Sequence, residues 1–494
     1  MKLREIIKDS GVIQVRGNED LEITHICSDS RKVVPGSLFI AVKGHDLDGQ
    51  AFIGSALKAG AVAVAYEDDD ICAAQAASCP GGEDAAYVKV ENSRHGVAIM
   101  AANYYGNPSH DLTLVGITGT NGKTTTVTLL YNLFMGMGYN CGLLSTIANY
   151  VGTKRYDTPN TTSDPITINS LLAEMVQCGC GLCFMEVSSI GMEQERVSGL
   201  KFKAGIFSNL THDHLDYHKT FAEYLRCKKL FFDSLPKDAF AITNADDKNG
   251  MTMVQNTKAE IVTYALRSMA DHRGRIIEES FEGMCMRIDG KEAWTKLIGR
   301  HNAYNILAIY TTAVCLGTDP DEALLAISRL DSAKGRLENL RGPRGLSTVI
   351  DYAHTPDAMQ NVLSTLRDIA PERELICLFG CGGDRDRTKR PEMAAVAEKY
   401  ADRIIVTSDN SRSEKTEDIF EDIRKGFSVK GLSKTIFIAD RREAIRTAII
   451  LAPENSTVLL AGKGHETYQI LGGVKSHFDE REIVQEVYKT LENQ

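Results

Sequence analysis

Residues Leu112–Thr126, LTLVGITGTNGKTTT, join an apolar segment to a glycine-rich loop and a helical segment. The pattern predicts a buried strand followed by a helix that starts near residue 122. Backbone N–H groups of such a loop and of the helix N-terminus can bind phosphates. Lys123 would reach the β- and γ-phosphates of a nucleotide, and the hydroxyl of Thr124 would bind Mg²⁺. Ile117 replaces the first glycine of common phosphate-binding loops, so a plain glycine turn is the alternative interpretation.

Strands and helices alternate from Leu112 onwards, with an antiparallel annex predicted over residues 255–290. A second alternating series of five strands and five helices follows residue 345. Such alternation builds mostly parallel sheets covered by helices. The length of 494 residues suits about three domains. We therefore predict an α/β protein with an N-terminal α/β domain (1–108), a central mostly parallel domain of the phosphate-loop type (109–333) and a C-terminal Rossmann-like doubly wound domain (334–494).

Charge and composition exclude several classes of protein. The net charge of −10 argues against nonspecific nucleic-acid binding. The N-terminus, MKLREIIKDSG, lacks the apolar core of an export signal, and no apolar run is long enough to span a bilayer. Twelve cysteines, sparse and irregularly placed, fit reduced thiols. We expect a cytoplasmic protein without membrane insertion.

Two acidic and histidine-rich groups follow predicted strands of the central domain. Glu186 ends one strand, where it could ligate a metal or be a solvated carboxylate. Three histidines and two aspartates lie within residues 212–218, a density that favours a metal or phosphate site. Lys228 and Lys229 lie on an amphipathic helical segment, and their positions alone indicate solvated charges.

Three glycine- and charge-rich loops follow strands of the last domain, at residues 380–387, 408–412 and 462–466. Arg385 and Arg412 could each bind a carboxylate through two hydrogen bonds, and Asp409 and Glu466 could hold an ammonium group. Together they suggest a site for a zwitterionic amino acid, although any single loop could carry solvated charges.

The motifs TGTNGKTTT, EVSS, NLTHDHLDYH, GRHNAYN, DYAHTPDA, GCGGDRDRTKRP and AGKGHE resemble the Mur ligase family, in order and over nearly the whole chain. The segments Ser28–Arg31 and Lys43–Gly49 resemble the branch that adds the third residue of peptidoglycan precursors. The resemblance implies an ATP-dependent ligase that joins UDP-N-acetylmuramoyl-L-alanyl-D-glutamate to a diamino acid through an acyl phosphate. We also expect a monomer.

The resemblance further implies the following site residues. ATP would be bound by Gly119, Thr120, Asn121, Gly122, Lys123, Thr124, Thr125, Asn302, Arg336, Asp351 and His354. Two Mg²⁺ ions would be bound by Thr124, Glu186, His214 and Lys228, the lysine as a CO₂-derived carbamate, and the catalytic residues would be Lys123, Glu186, His214 and Lys228. The UDP substrate would contact Ser28, Ser30, His45, Asp46, Leu47, Asn160, Thr161, Thr162, Ser188, Gln194 and Arg196. The amino acid would contact Arg385, Asp409, Asn410, Ser411, Arg412, Gly462 and Glu466.

The loop at residues 409–412 bears on which amino acid is added. Diaminopimelate-adding members carry Asp-Asn-Pro-Arg, whereas this chain has Asp-Asn-Ser-Arg. Arg412 is kept and would bind the distal carboxylate of meso-diaminopimelate, which favours that acceptor over L-lysine. Ser411 in place of proline leaves lysine as the alternative. A folate-glutamate ligase and a non-catalytic nucleotide-binding scaffold are further alternatives, but the chain keeps Lys123, Glu186, His214 and Lys228.

Overall fold

The computed structural model describes residues 1–44, 47–77, 79, 84–158, 160–211, 215–332 and 334–492. Within these residues, three large sheets lie one after another along the chain, and helices cover them. The fold is the three-domain α/β architecture that the sequence predicts. The predicted boundaries after residues 108 and 333 fall between the sheets and stay predictions, and residue 333 itself lies outside the described residues.

The first sheet has the strand order β1-β5-β4-β3-β2, in which β1 is antiparallel to β5 and the other neighbours are parallel. Asn92 caps the last helix of this domain by accepting hydrogen bonds from the N–H groups of Arg94 and His95. The strands are β1 (Val12–Arg16), β2 (His25–Cys27), β3 (Ser37–Ile40), β4 (Ala61–Tyr66) and β5 (Ala86–Val90), and the helices are α1 (Leu3–Ile6), α2 (Ile53–Lys58), α3 (Asp69–Ala77) and α4 (Ser93–Tyr104).

The central sheet has the order β16-β15-β14-β13-β12-β11-β6-β10-β7-β8-β9. Its strands are β6 (Thr113–Thr118), β7 (Cys141–Leu144), β8 (Asn149–Val151), β9 (Lys154–Tyr156), β10 (Leu182–Glu186), β11 (Ala204–Phe207), β12 (Phe240–Asn244), β13 (Glu260–Ala265), β14 (His272–Ser280), β15 (Gly283–Ile288) and β16 (Lys291–Thr295). Its helices are α5 (Lys123–Gly136), α6 (Pro165–Gln177), α7 (Ser189–Glu193), α8 (Leu215–His218), α9 (Phe221–Asp233), α10 (Gly250–Met253), α11 (Arg300–Cys315) and α12 (Pro320–Ser328).

The middle of this sheet is parallel, and apolar clusters cover both of its faces, one including residues of α5 and α11 and the other residues of α6 and α9. The antiparallel annex is confirmed for β14–β16, but β13 pairs in parallel with β12, contrary to the prediction for its segment. Because β6, β10 and β11 are neighbours, the loops after them meet at one edge.

The third sheet has the order β17-β18-β22-β19-β20-β21, and β23 and β24 form a separate hairpin. Apart from the antiparallel edge strand β17, the sheet is parallel. Its strands are β17 (Glu338–Arg341), β18 (Ser347–Asp351), β19 (Leu375–Phe379), β20 (Arg403–Thr407), β21 (Thr435–Ile438) and β22 (Thr457–Ala461), and the hairpin comprises β23 (Tyr468–Leu471) and β24 (Val474–His477). The helices are α13 (Pro356–Ile369), α14 (Lys389–Tyr400), α15 (Thr416–Arg424), α16 (Val429–Ser433), α17 (Arg441–Ile450) and α18 (Glu480–Glu492).

Helices of the described chain are too short or too polar to cross a membrane. The twelve cysteines are all free thiols, and burial raises the pKa of most of them, as for Cys72, whose pKa is about 11.

Candidate active site

The glycine-rich loop lies between β6 and α5, as predicted. Gly119 has a φ of +152°, and a Cβ there would collide with Ser208 Oγ. Asn209, which follows β11, accepts from the Thr120 N–H at 2.8 Å through its carbonyl and from the Asn121 N–H at 3.0 Å through its side chain. Two N–H groups of the loop are therefore already bonded, so the first turn of α5 supplies the donors best placed to bind an anion.

Lys123, the first residue of α5, folds back over the loop. Its Nζ donates to the carbonyls of Gly119 and Thr120, both at 2.9 Å. A nucleotide phosphate would have to replace these carbonyls as the acceptor for the lysine. The loop therefore keeps its cation close to where phosphates would bind.

Glu186 ends β10, and its side chain is buried. Its Oε1 accepts from the N–H and the hydroxyl of Thr146, at 2.8 and 3.1 Å. Its Oε2 is buried without a hydrogen-bond partner in the described part of the chain. A buried carboxylate oxygen in this state suits a hard cation. Thr146, which sequence reasoning missed, could have been found because it follows the end of β7.

Lys228 is buried in α9, so its interpretation as a solvated charge is wrong. Its Nζ donates to the carbonyl of Gly119 at 2.8 Å and lies 4.6 Å from the centre of the Tyr224 ring. Lys229 is not simply solvated either, because it pairs with Asp233 at 2.6 Å. The helix therefore points Lys228 under the phosphate loop. His214, with His212 and Asp213, lies outside the described residues.

A hydrogen-bonded network links the residues expected to bind the dipeptide part of the substrate. Thr162 donates to the Glu186 carbonyl at 2.9 Å and accepts from the Ser188 N–H at 3.0 Å. Arg196 donates to the Thr162 carbonyl at 2.6 Å and to Gln194 at 2.7 Å. Burial lowers the pKa of Arg196. Asn160, Thr161 and Glu186 line the cleft described below, whereas Thr162, Ser188, Gln194 and Arg196 do not.

The remaining residues expected to bind UDP lie in the first domain. Ser28, Ser30 and Leu47 do not line the cleft, and Leu47 is exposed. His45 and Asp46 lie outside the described residues. Contacts from α4 hold this domain against the central one: Arg94 pairs with Glu193 at 2.9 Å and His95 with Glu195 at 2.8 Å.

Asn302 lies near the start of α11 and is buried. Its Nδ2 donates to the Ile298 carbonyl at 2.8 Å, and its Oδ1 accepts from Asn305 at 3.0 Å. Asn305, which sequence reasoning missed, in turn accepts from Thr126 Oγ1 at 3.3 Å. The Nδ2 and the Oδ1 of Asn302 can each form one further hydrogen bond. Asn302 could therefore contact a base and keep its hydrogen bonds to Ile298 and Asn305.

Arg336, expected to bind ATP, lies in an aromatic and histidine-rich corner of the last domain. Its guanidinium lies 4.9 Å from the Tyr352 ring centre, and its Nε is buried without a partner in the described part of the chain. Burial, together with Arg336, lowers the pKa of His465 to about 3 and that of His301 to about 4. Both histidines are neutral at pH 7, so Arg336 supplies the positive charge of this corner.

Asp351 and His354 flank the same corner. Asp351 is buried and accepts from the Leu337 N–H at 2.7 Å, and burial raises its pKa. His354 Nδ1 is hydrogen-bonded to the Tyr352 carbonyl at 2.7 Å. Both line the cleft.

The three loops of the last domain converge, as predicted. Asn410 Nδ2 donates to Glu466 Oε2 at 2.9 Å, which joins the second loop to the third. Arg412 Nη1 donates to the Gly383 carbonyl at 2.6 Å, which joins the second loop to the first. Gly462 has a φ of +118°, and a Cβ there would lie 2.6 Å from Asp409 Oδ2. Ser411 is buried, and its N–H donates to the Asp409 carbonyl at 3.1 Å. A proline at this position would have no N–H and could not form this hydrogen bond.

One cleft of about 1250 Å³ brings these groups together between the central and the last domain. Its lining includes the phosphate loop, Glu186, Asn302, Arg336, Arg385, Asp409, Asn410, Arg412, Gly462 and Glu466. An ATP-dependent amide ligase needs a phosphate-binding loop, a carboxylate that can bind a cation and a site for an amino acid. This cleft contains residues suited to all three.

Three family models match successive parts of the chain. They are the Mur ligase family catalytic domain at residues 22–105, the Mur ligase middle domain at residues 117–313 and the Mur ligase glutamate ligase domain at residues 335–464. The chain belongs to the Mur ligase family.

Comparisons with individual relatives give more specific information than the family models do. The chain is 47% identical over 491 residues to the UDP-N-acetylmuramoyl-L-alanyl-D-glutamate--2,6-diaminopimelate ligase of Cytophaga hutchinsonii, covering 99% of this chain and 100% of the relative. The ligase of the same name from Parabacteroides distasonis is 47% identical over 494 residues, with 100% of both chains covered. A solved structure of a ligase of this name has 30% identity and a TM-score of 0.70, covering 100% of this chain and 99% of that one.

Ligases with other substrates share the fold. The MurF ligase of Thermotoga maritima, solved with ADP, has 18% identity and a TM-score of 0.64, covering 96% of this chain and 100% of that one. A folylpolyglutamate synthase of Mycobacterium tuberculosis has 17% identity and a TM-score of 0.58, covering 73% of this chain and 91% of that one. This likeness extends to the fold alone, so the folate alternative gains no support from it.

Proposed function

We propose that the chain is an ATP-dependent ligase that adds meso-diaminopimelate to UDP-N-acetylmuramoyl-L-alanyl-D-glutamate during peptidoglycan precursor synthesis. The observation that carries this proposal is the cleft in which the phosphate loop faces Arg385, Asp409 and Glu466. The names of relatives 47% identical over the whole chain support the two substrates.

The reaction has two steps. The side-chain carboxylate of the D-glutamate attacks the γ-phosphate of ATP, which gives an acyl phosphate and ADP. The uncharged amine of diaminopimelate then attacks the acyl carbon, the bond between that carbon and the phosphate oxygen breaks, and the nitrogen releases a proton as the amide forms. Lys123 binds the transferred phosphate and offsets its charge, while Arg336 binds anionic groups from the side of the last domain. Closure of that domain over the loop would exclude water, which would otherwise hydrolyse the acyl phosphate.

Mg²⁺ would neutralise the two anions that must meet in the first step. The buried Glu186 Oε2 fits a magnesium ligand, since it has no hydrogen-bond partner in the described part of the chain. Thr124 and Glu186 would hold one ion. Glu186, His214 and Lys228, the last as a carbamate, would hold the second. A carbamate at Lys228 would form by addition of its uncharged amine to CO₂ and would supply the oxygen ligands that Mg²⁺ prefers.

The acceptor is chosen in the last domain. The Arg412 guanidinium would bind the distal carboxylate of diaminopimelate, and Asp409 and Glu466 would attract its ammonium group. Lysine lacks that carboxylate, and a site built to bind a polar group rejects analogues without it by roughly 10⁴ or more.

The test is phosphate release by the purified protein with ATP, Mg²⁺, the UDP-dipeptide and one amino acid at a time. We expect release with meso-diaminopimelate and about 10⁴-fold lower kcat/KM with L-lysine. Arg412→Ala should raise the KM for diaminopimelate at least tenfold and leave the KM for ATP within twofold. Equal use of lysine would contradict the proposed acceptor, and activity only with a folate and glutamate would contradict the proposed UDP-dipeptide substrate.

We also propose a monomer in the cytoplasm. Twelve free thiols are consistent with a reducing compartment. Sedimentation of the purified protein would test the monomer.

A further inference from the structure

We propose that Lys463 is a positioning residue that fixes the orientation of Asn410 and Glu466 and so determines the affinity for the amino-acid acceptor. The inference rests on the proposed function. Lys463 lies in the loop after β22 and is fully buried, so it does not line the cleft. The sequence analysis assigns the loop at residues 462–466 to the amino-acid site but gives Lys463 itself no role.

The ammonium group of Lys463 bonds to side chains of two different loops. Its Nζ donates to Glu466 Oε2 at 3.0 Å and to Asn410 Oδ1 at 3.2 Å. Asp409 Oδ1 lies 3.8 Å away. All three partners line the cleft, so one buried cation supports the polar surface from behind. A buried ammonium with several acceptors has little freedom to move, because each lost hydrogen bond would leave a buried charge unpaired.

Lys463, together with the Ile470 N–H and Glu466, fixes which way the Asn410 amide faces. Asn410 Oδ1 accepts from Lys463 and from the Ile470 N–H, the latter at 2.9 Å, which uses both of its lone pairs. Asn410 Nδ2 donates one hydrogen to Glu466 and keeps a second donor. The group that Asn410 can offer to a ligand is therefore a donor, which suits a carboxylate and not an ammonium.

A second buried cation holds the backbone of the same loops. Arg441 donates to the carbonyls of Ser408 and Ala461, at 3.1 and 2.9 Å, and pairs with Glu480 at 2.8 Å. Because the backbone has this separate anchor, loss of the Lys463 charge should change side-chain orientation more than loop position. An effect on acceptor binding can therefore be separated from unfolding of the site.

The experiment compares Lys463→Met, which keeps the chain length without the charge, with Lys475→Met. Lys475 is an exposed lysine on β24 whose Nζ lies 4.0 Å from the centre of the Tyr468 ring, so it is a matched control near the same loop. For Lys463→Met we expect the KM for meso-diaminopimelate to rise at least tenfold, with kcat and the KM for ATP within threefold. Lys475→Met should match the wild type.

A double-mutant cycle separates positioning from general structure. In an Asn410→Ala background, Lys463→Met should raise the KM for diaminopimelate by a smaller factor than in the wild type, because Lys463 then orients Glu466 alone. Full additivity of the two changes, or parallel loss of ATP binding, would overturn the proposal. A Lys463→Gln variant, which keeps a donor, should fall between wild type and Lys463→Met and should fold if the methionine variant does not. An inactive wild type would count against the proposed function instead.

Discussion

Lys228 and Lys229 are adjacent in the chain and have different environments. Lys228 reaches the Gly119 carbonyl beneath the phosphate loop, whereas Lys229 pairs with Asp233 along its own helix. Periodicity alone could not separate them, because burial of a lysine depends on the elements that pack against its helix. The resemblance to the family singled out Lys228, and its burial supports that choice.

We predict that Lys228→Ala lowers kcat at least a hundredfold and that short-chain carboxylates partly restore it. The reason is that the proposed carbamate supplies oxygen ligands to a metal, which a small carboxylate can replace. Lys229→Ala is the matched control and should keep more than half of the activity. Mass spectrometry under CO₂-retaining conditions should show added carbamate on Lys228. An active enzyme with unmodified Lys228 would refute the prediction.

Lys123→Ala should abolish turnover and leave the fold intact. The lysine bonds to the carbonyls of Gly119 and Thr120 and would transfer to the phosphates, where loss of its charge lowers the rate by about 10²- to 10³-fold. Phosphate release measures the loss, and circular dichroism checks the fold. Lys237→Ala, at an exposed lysine of the same domain, is the control. Normal release by Lys123→Ala would contradict the assignment of the nucleotide site.

At the scale of helices and strands, long periodic segments were predicted well. The predicted strand before the glycine-rich loop is β6, and the predicted helical segment that carries Lys228 is α9, because an apolar run marks the first and one buried face marks the second. The β23–β24 hairpin was missed, since all four residues of β24 are exposed and carry no periodic signal.

Part of the site was predictable from loops at strand ends. The roles of Asn305 and Lys463 could not be predicted, because only tertiary packing brings these residues to their hydrogen-bond partners.

A buried ion-pair network joins α14 to α15 next to the acceptor loops. Arg390 is buried and forms two hydrogen bonds with Glu414, at 2.9 and 3.0 Å, and one with Asp422 at 2.9 Å. The bonds from Arg390 are the main cause that lowers the pKa of Glu414 to about 2 from its ordinary value of 4.5. A carboxyl whose pKa is lower in the folded state stabilises the fold fully above pH 4.5, and this contribution is lost as the pH falls towards 2.

We therefore expect Glu414→Gln to lower the Tm by roughly 3–6 °C at pH 7, with the difference from wild type narrowing as the pH falls from 4.5 to 3. Circular dichroism during thermal unfolding measures the difference in Tm between the variant and the wild type. Glu417→Gln, at an exposed residue of α15, should show no pH-dependent gap. A difference in Tm that stays constant down to pH 3 would mean that the ionised carboxylate of Glu414 is not what stabilises the network.

At the scale of the whole molecule, side chains at the cleft join the last domain to the phosphate loop. Asp357, in the first turn of α13, accepts from Asn121 Nδ2 at 2.8 Å and from Thr211 Oγ1 at 3.4 Å. Away from the cleft, Arg341 pairs with Glu282 of the central annex at 2.9 Å. A carboxylate of the last domain thus sits at the loop where phosphates would bind. Domain packing and nucleotide binding are therefore coupled through Asp357.

Removing that charge should strengthen the binding of metal-free ATP. Asp357→Asn keeps the size of the side chain and its ability to accept from Asn121, but it removes a negative charge next to the triphosphate. We expect the Kd for ATP in EDTA, measured by isothermal titration calorimetry at low salt, to fall about three- to tenfold. The effect should shrink at about 1 M salt, where charges more than roughly 3 Å apart are screened. Asp368→Asn is the matched control, because Asp368 lies at the other end of α13 and also lines the cleft. An equal gain from Asp368→Asn would assign the effect to the overall potential of the cleft, and no gain from Asp357→Asn would place the triphosphate away from this contact between the domains.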